Sequence, residues 1–399
     1  MEKIEKCSLS SNNSHHNEMQ EAMISIPSLL CGSTLVIVAF ILSKTCKVMM
    51  KKTSSVQAPS ANILTEKPLP TKDLSITEWE IPTECSVQDL EYLQSGRYGP
   101  TCMAQVVQAD LSVPVIVKAL RDQTSETEVG EFLEWIKFHI QICRHENLMK
   151  MLYCQTEHAP MFLVLEASVP GNLLHFLWEF RKKDIDYQDY PMNFTEKTVY
   201  SVARQVASGL EYLTNVQKLI HGDVAARNVV IGDNWRARIC GLSTAFDIKR
   251  NGSLPSPGTS IIPWKWLAPE RMMRLSVTEK SDVWSFGILL YEMMTLGSPP
   301  YPDLQPTEVL SNLLGGYRMK RPEHCGGALY DIMKHCWMWD PLDRPSYSGL
   351  IKQMDSYVYC AGTNRLSSKK PLDLHEYSLI ADVICCTPRQ NITDNGVRL

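Results

Sequence analysis

Apolar and polar positions divide the chain into stretches of different character. From Ala22 to Ser43 no charged side chain occurs, and the stretch contains the run Leu35-Val36-Ile37-Val38-Ala39-Phe40-Ile41-Leu42. A helix over it would be about 33 Å long, against a hydrocarbon core of about 30 Å, so the pattern predicts a membrane-spanning helix at 23–43. The competing readings are a buried core helix and a cleaved signal peptide. A core helix of this length would carry a polar face. A signal peptide would follow a short basic patch, whereas Glu2, Glu5, Glu18 and Glu21 precede this segment and no small-residue cleavage site follows it.

Beyond this segment, 44–86 begins basic and continues rich in Pro, Ser and Thr without hydrophobic period, which predicts a linker. Between 87 and 357 the pattern is globular. Strand-like runs come first, among them Val113-Pro114-Val115-Ile116-Val117 and Met161-Phe162-Leu163-Val164-Leu165. Helical periodicity follows in Val199 to Leu213, Asp282 to Thr295 and Ala328 to Trp337. A β-rich part followed by a larger α-rich part predicts an α+β, two-lobed domain. From 358 to 399 the chain reads as a flexible polar tail.

Charge gives the predicted span a direction. Lys44, Lys47, Lys51 and Lys52 follow it and only Lys3 and Lys6 precede it, so the globular part is expected in the cytoplasm and 1–22 outside. The outer segment is too short to bury a ligand site. Asn12-Asn13-Ser14 is a glycosylation triplet on that side, whereas the sequons at Asn193, Asn251 and Asn391 would face the cytosol. Lys plus Arg number 40 against 44 Asp plus Glu, a net of −4, opposite in sign to a nucleic-acid binder. The 13 cysteines include no C-x-x-C pair, which argues against a zinc module or a disulfide framework. Cys46, Cys385 and Cys386 are candidate acylation sites on this topology.

The chemistry concentrates in a few segments. His221-Gly222-Asp223-Val224-Ala225-Ala226-Arg227-Asn228 resembles the catalytic loop of protein kinases, in the form typical of tyrosine kinases. Pro263-Trp264-Lys265-Trp266-Leu267-Ala268-Pro269-Glu270, Asp282-Val283-Trp284-Ser285-Phe286-Gly287, Pro299-Pro300-Tyr301, and Cys336-Trp337 with Arg344-Pro345 follow in the family's order and spacing. The chain thus resembles the protein-tyrosine kinases over about two thirds of its length, most of all their atypical single-pass membrane members. The resemblance implies a small β-rich lobe at 87–166, a large helical lobe at 171–357, and binding of ATP and Mg²⁺. It implies roles as well: Asp223 orients the substrate hydroxyl, Arg227 fixes the loop beside it, Asn228 holds magnesium, and Lys118 holds the α- and β-phosphates. Gly96 and Gly99, in Gln94-Ser95-Gly96-Arg97-Tyr98-Gly99, stand where glycines cover the phosphates, with Gln94 in place of the first. Glu270 and Arg344 match the family's buried ion pair.

The departures from the pattern are as informative. The metal-binding Asp-Phe-Gly is replaced by Gly241-Leu242-Ser243, and Gly241 has no side-chain oxygen. The helix slot that should carry a glutamate for Lys118 falls on Trp135; Glu134 and Glu131 lie off that face. Asp233 and Asp247 are expected as turn or solvated residues rather than replacement ligands. Ile116 stands where the family has Ala against the adenine. Gly222 replaces the arginine that meets an activation-loop phosphate, and no tyrosine lies between Gly241 and Ala268. Two functions remain open: a membrane-anchored tyrosine kinase of low activity, or a pseudokinase scaffold. Expected partners are the bilayer and cytoplasmic signalling proteins, with Tyr377, followed by Ser378-Leu379-Ile380, as a candidate adaptor or endocytic signal in the tail.

Overall fold

The computed structural model describes residues 74–182, 193–252, 263–368, 372–374 and 377–378. The expected membrane span, most of the linker, and Cys46, Cys385 and Cys386 lie outside the described residues. Among those described, no helix is long and apolar enough to cross a membrane.

A helical turn, α1 (Leu74–Thr77), precedes three antiparallel strands, β1 (Cys85–Ser95), β2 (Pro100–Gln108) and β3 (Leu111–Ala119). After helix α2 (Glu126–Ile142), β4 (Met151–Gln155) and β5 (Phe162–Glu166) complete a five-stranded sheet of order β1-β2-β3-β5-β4. The two strand-like runs fall in β3 and β5, which pair antiparallel with Lys118 opposite Leu163. Val115, Val117, Val164 and Phe162 are buried on one face, where alternating apolar positions meet. Helix α2 starts on a capping box, in which the Ser125 hydroxyl accepts from Glu128 N–H and the Glu128 carboxylate accepts from Ser125 N–H.

The large lobe begins with β6 (Gly171–Asn172) and α3 (Leu173–Lys182), then α4 (Glu196–Asn215). β7 (Val229–Ile231) and β8 (Ala237–Ile239) form a short hairpin. The loop before β7 and the turn after β8 both carry site residues, and the hairpin holds them side by side. Further on lie α5 (Ser243–Asn251), α6 (Pro269–Met272), α7 (Glu279–Met294), α8 (Val309–Leu314), α9 (Gly327–Cys336) and α10 (Tyr347–Tyr357). Every residue of α7 from Ser281 to Met294 is buried. Such an all-round buried helix is the post on which the lobe is built.

Two polar pairs tie this lobe. Arg344 donates to Glu270 through both terminal nitrogens, at 2.8 and 2.9 Å, and Ser281 Oγ donates to the same carboxylate at 2.6 Å. Burial works to raise the Glu270 pKa, but the bonds from Arg344 and Ser281 outweigh it and hold the group below its ordinary range.

The chain does not leave the domain at 357. Leu366 N–H donates to Phe194 O at 3.0 Å, the Arg365 guanidinium lies 4.1 Å from the Phe180 ring centroid, and Leu366 is buried. Beyond them Tyr377 is fully buried. A flexible tail was expected here because isolated apolar anchors in an extended segment produce no period.

Candidate active site

The loop His221–Asn228 hangs from the N-terminal end of α7. Asp282 accepts from His221 N–H at 2.6 Å and Gly222 N–H at 2.9 Å. His221 Nδ1 accepts from Asp223 N–H at 3.1 Å, which leaves its Nε2 to donate to Cys240 O at 2.9 Å. One imidazole therefore joins this loop to the turn after β8.

Asp223 is gripped on both oxygens. One accepts from Arg227, and the other accepts from Asn228 Nδ2 at 2.7 Å. Asn228 Nδ2 also donates to the Asp223 carbonyl at 2.8 Å. Burial works to raise the carboxyl, but the charge of Arg227, the bond from Asn228 and the charge of Arg271 carry it below the ordinary carboxylate range. Asp223 is thus an oriented carboxylate at neutral pH. The sequence reading brought Asp223, Arg227 and Asn228 together, and the fold does so.

Gly222 has a left-handed backbone, φ +77°, and a Cβ there would lie 2.5 Å from Thr244 Cγ2. A larger residue there would be strained and would have to displace the Thr244 side chain. The cation at this place comes from elsewhere in the sequence: Arg271, just after Glu270, donates through Nη1 to the Gly222 carbonyl. Its guanidinium faces Asp282 and Asp223, although burial lowers its pKa.

Gly241 also has a left-handed backbone, φ +74°, and a Cβ there would overlap Asn228 Oδ1 and Cγ. With its nitrogen on Asp223 and its oxygen against Gly241, Asn228 leaves no room for an aspartate at position 241. Among the described residues no cluster of three His, Cys, Asp or Glu is placed to hold an ion. Leu242 is buried, filling the apolar slot expected of it. These residues do not fit the Mg²⁺ that the fold ordinarily uses.

The groups that Lys118 feels electrostatically are Cys240, Cys143 and His139, and none is a carboxylate. Burial pulls the Lys118 pKa down. Burial pushes Cys240 up to about 11 and Cys143 up to about 12, so both remain neutral. Burial and Lys118 drive His139 down to about 3. Among the described residues no acid reaches Lys118. Two of the acids of α2 turn to Arg250 at the end of α5: Glu131 at 2.9 Å and Glu134 at 3.2 Å. Trp135 takes the inward position, with ring centroids 4.2 Å from His139, 5.1 Å from Phe246 and 5.6 Å from Phe138.

The glycine turn is drawn down into the same cluster. Gly96 N–H donates to Gly99 O at 2.7 Å, closing the hairpin. Arg121 Nε donates to Tyr98 O at 3.0 Å and its Nη2 to Arg97 O at 2.7 Å. Tyr98 is buried with its ring 5.5 Å from Phe132. Arg97 pairs with Asp247 of α5 at 2.6 Å and lies over the Phe246 ring. Asp247 is therefore an ion-pair partner and not the solvated residue expected. Gly96 and Gly99 stand near Lys118 in the fold, but the turn lies on the lobe rather than over an open phosphate cradle.

Arg121, Arg250 and Arg271 escaped the sequence reading because each acts outside a motif. A period of apolar residues in Ser243–Asn251, with Ala245 and Phe246 buried, was the available signal for α5. Tyr377, a candidate docking signal in a polar tail by its sequence, is instead buried.

Comparison with known proteins gives the arrangement its context. The family model described as protein tyrosine and serine/threonine kinase matches residues 87–354. Tyrosine-protein kinase STYK1 of Mus musculus is 35% identical over 378 residues, covering 88% of each chain. STYK1 of Homo sapiens is 39% identical over 312 residues, covering 77% of this chain and 73% of the human one. Fibroblast growth factor receptor 1 of Xenopus laevis is 30% identical over 343 residues, 83% of this chain and 41% of the receptor.

Proposed function

The chain belongs to the protein tyrosine and serine/threonine kinase family, and from that premise we propose a membrane-anchored, tyrosine-kinase-like signalling protein whose own phosphotransfer from ATP to protein tyrosine is weak. One observation carries this reading: Asn228 takes the space that a Cβ at position 241 would need, so no carboxylate stands there to hold metal. Asp223 still stands as an oriented carboxylate, so the base survives while charge stabilisation is lost. Losing a metal ligand and the partner of Lys118, at about 3–4 kcal/mol each, lowers the rate on the order of 10⁴-fold or more. Anchoring rests on the uncharged stretch from Ala22 to Ser43 and on the lysines that follow it, with the N-terminus outside and the kinase-like domain in the cytoplasm. Its partners would be the bilayer and cytoplasmic signalling proteins.

A second reading, a pseudokinase scaffold, is favoured by the glycine turn. Arg97, Tyr98 and α5 close over the place where phosphates would enter. The deciding experiment is phosphotransfer by the purified cytoplasmic region to a tyrosine peptide, beside Asp223→Asn and Lys118→Met. Slow incorporation that both variants abolish supports the weak kinase. No incorporation, together with a normal cellular signalling response of the Lys118→Met protein, establishes the scaffold.

A further inference from the structure

Tyr377 is a tail residue with the surroundings of a core residue. Its side chain is fully buried, and its ring meets two tryptophans edge-on: Trp178 of α3 at 5.0 Å and Trp266 at 5.6 Å. Its hydroxyl donates to Glu292 Oε1 at 2.8 Å. Glu292, itself fully buried near the end of α7, takes Ala226 N–H on its other oxygen at 2.9 Å. The Arg227 guanidinium stacks on Trp266, 4.8 Å from the ring centroid, and holds Asp223. Two routes thus run from the tail tyrosine to the catalytic loop, through Glu292 to Ala226 and through Trp266 to Arg227. Leu372 and Leu374 are half-buried and pack against the same hydrophobic core, and a helical turn is closed by Tyr377 N–H to Asp373 O at 3.1 Å.

We propose that Trp178, Trp266 and Glu292 form a phenol-binding pocket for the chain's own tail, and that Tyr377 is a phosphoryl acceptor only when it leaves that pocket. The acting enzyme is a tyrosine kinase with its own ATP·Mg²⁺. The phenolic oxygen forms a bond to the γ-phosphorus, the bond from that phosphorus to the bridging oxygen breaks, ADP leaves, and the phenol proton passes to the acting enzyme's base. A docked Tyr377 cannot be reached, because none of its side chain is exposed. A phosphorylated one cannot return, since the pocket is closed around an unmodified phenol and ends on a carboxylate that repels phosphate. Modification therefore keeps the pocket open and frees the tail for a phosphotyrosine-binding partner. This holds whether or not the chain transfers phosphate itself.

The test uses the purified full chain in detergent and a soluble tyrosine kinase chosen because it phosphorylates a synthetic peptide of residues 370–384. Phosphate on Tyr377 is followed by mass spectrometry in the wild type and in Leu374→Ser, which loosens the tail and leaves the pocket and the tyrosine intact. The wild type should react at least roughly tenfold more slowly than the peptide, with Leu374→Ser recovering most of the difference. Hydrogen exchange at 372–378 should be slow in the unmodified chain and fast once Tyr377 is phosphorylated. A wild type that reacts as fast as the peptide, a Leu374→Ser chain as slow as the wild type, or retained protection after phosphorylation would each overturn the proposal. Cooperative thermal unfolding of Leu374→Ser shows that the domain itself still folds.

Discussion

Arg97, at the tip of the glycine turn, and Asp247, on α5, meet at 2.6 Å and so lock that turn to the helix that begins at Ser243. The contact is partly exposed, with 34% of the Arg97 side chain and 13% of the Asp247 side chain accessible, so solvent screens it. A double-mutant cycle of Arg97→Ala and Asp247→Ala in chemical denaturation should give a coupling of about 0.5–1 kcal/mol that shrinks as salt rises. Additive effects of the two changes would mean that the turn and the helix are held by Tyr98 and Phe246 alone.

Gly241 bears on whether the family's chemistry can be restored by one substitution. Its backbone is left-handed and Asn228 fills the place of its Cβ. Gly241→Asp should therefore destabilise the domain by about 1–3 kcal/mol through backbone strain and displacement of Asn228. It should also fail to create a Mg²⁺-dependent rise in melting temperature with ATP. A stable variant whose melting temperature climbs only when both ATP and Mg²⁺ are present would show that the turn opens readily to the family's metal geometry.

The sequence disclosed the framework better than the state of the cleft. Asp223, Arg227 and Asn228 lie in one octapeptide, so a local pattern suffices to bring them together. Glu270 and Arg344 were legible as a pair because each sits in its own motif. The absent partner of Lys118 was legible too, as a counting argument that put Trp135 in the glutamate's slot. What stayed hidden depends on long-range geometry. Arg250 finds Glu131 and Glu134, Arg271 finds Gly222, and Tyr377 finds Glu292 across many residues of chain, with no period to announce them. An ion pair or a buried phenol requires only that two side chains converge, and convergence is a property of the fold rather than of either segment.

The bidentate bond between Arg344 and Glu270 is buried, so removal of one partner strands a charge. Arg344→Met should cost about 3–5 kcal/mol in urea denaturation, whereas replacing both residues with apolar ones of similar volume should cost far less. An equal loss in single and double variants would show that Arg344 acts through its bonds to the Met338 and Lys280 carbonyls instead.

His139 should make the domain sensitive to acid. It is buried, its Nδ1 lies 2.9 Å from Trp135 O, and Lys118 faces it from β3. The folded imidazole titrates at about 3, against 6.5 for an ordinary histidine. Between those two values the unfolded chain takes up a proton that the folded chain refuses, so stability falls as pH drops through that window. The limiting slope for a single site is about 1.4 kcal/mol per pH unit. Asp223 and Glu270, whose folded pKa values are depressed, also lose their contribution on acidification, but as pH falls through their folded values, below the ordinary carboxylate range. The two effects separate between pH 6.5 and 5. Unfolding free energies of the wild type should decline across that interval, while His139→Leu should be flatter there and keep the carboxylate-driven fall at lower pH. Parallel curves for the two proteins would mean that His139 is protonated in the fold and that Lys118 has given up its charge instead.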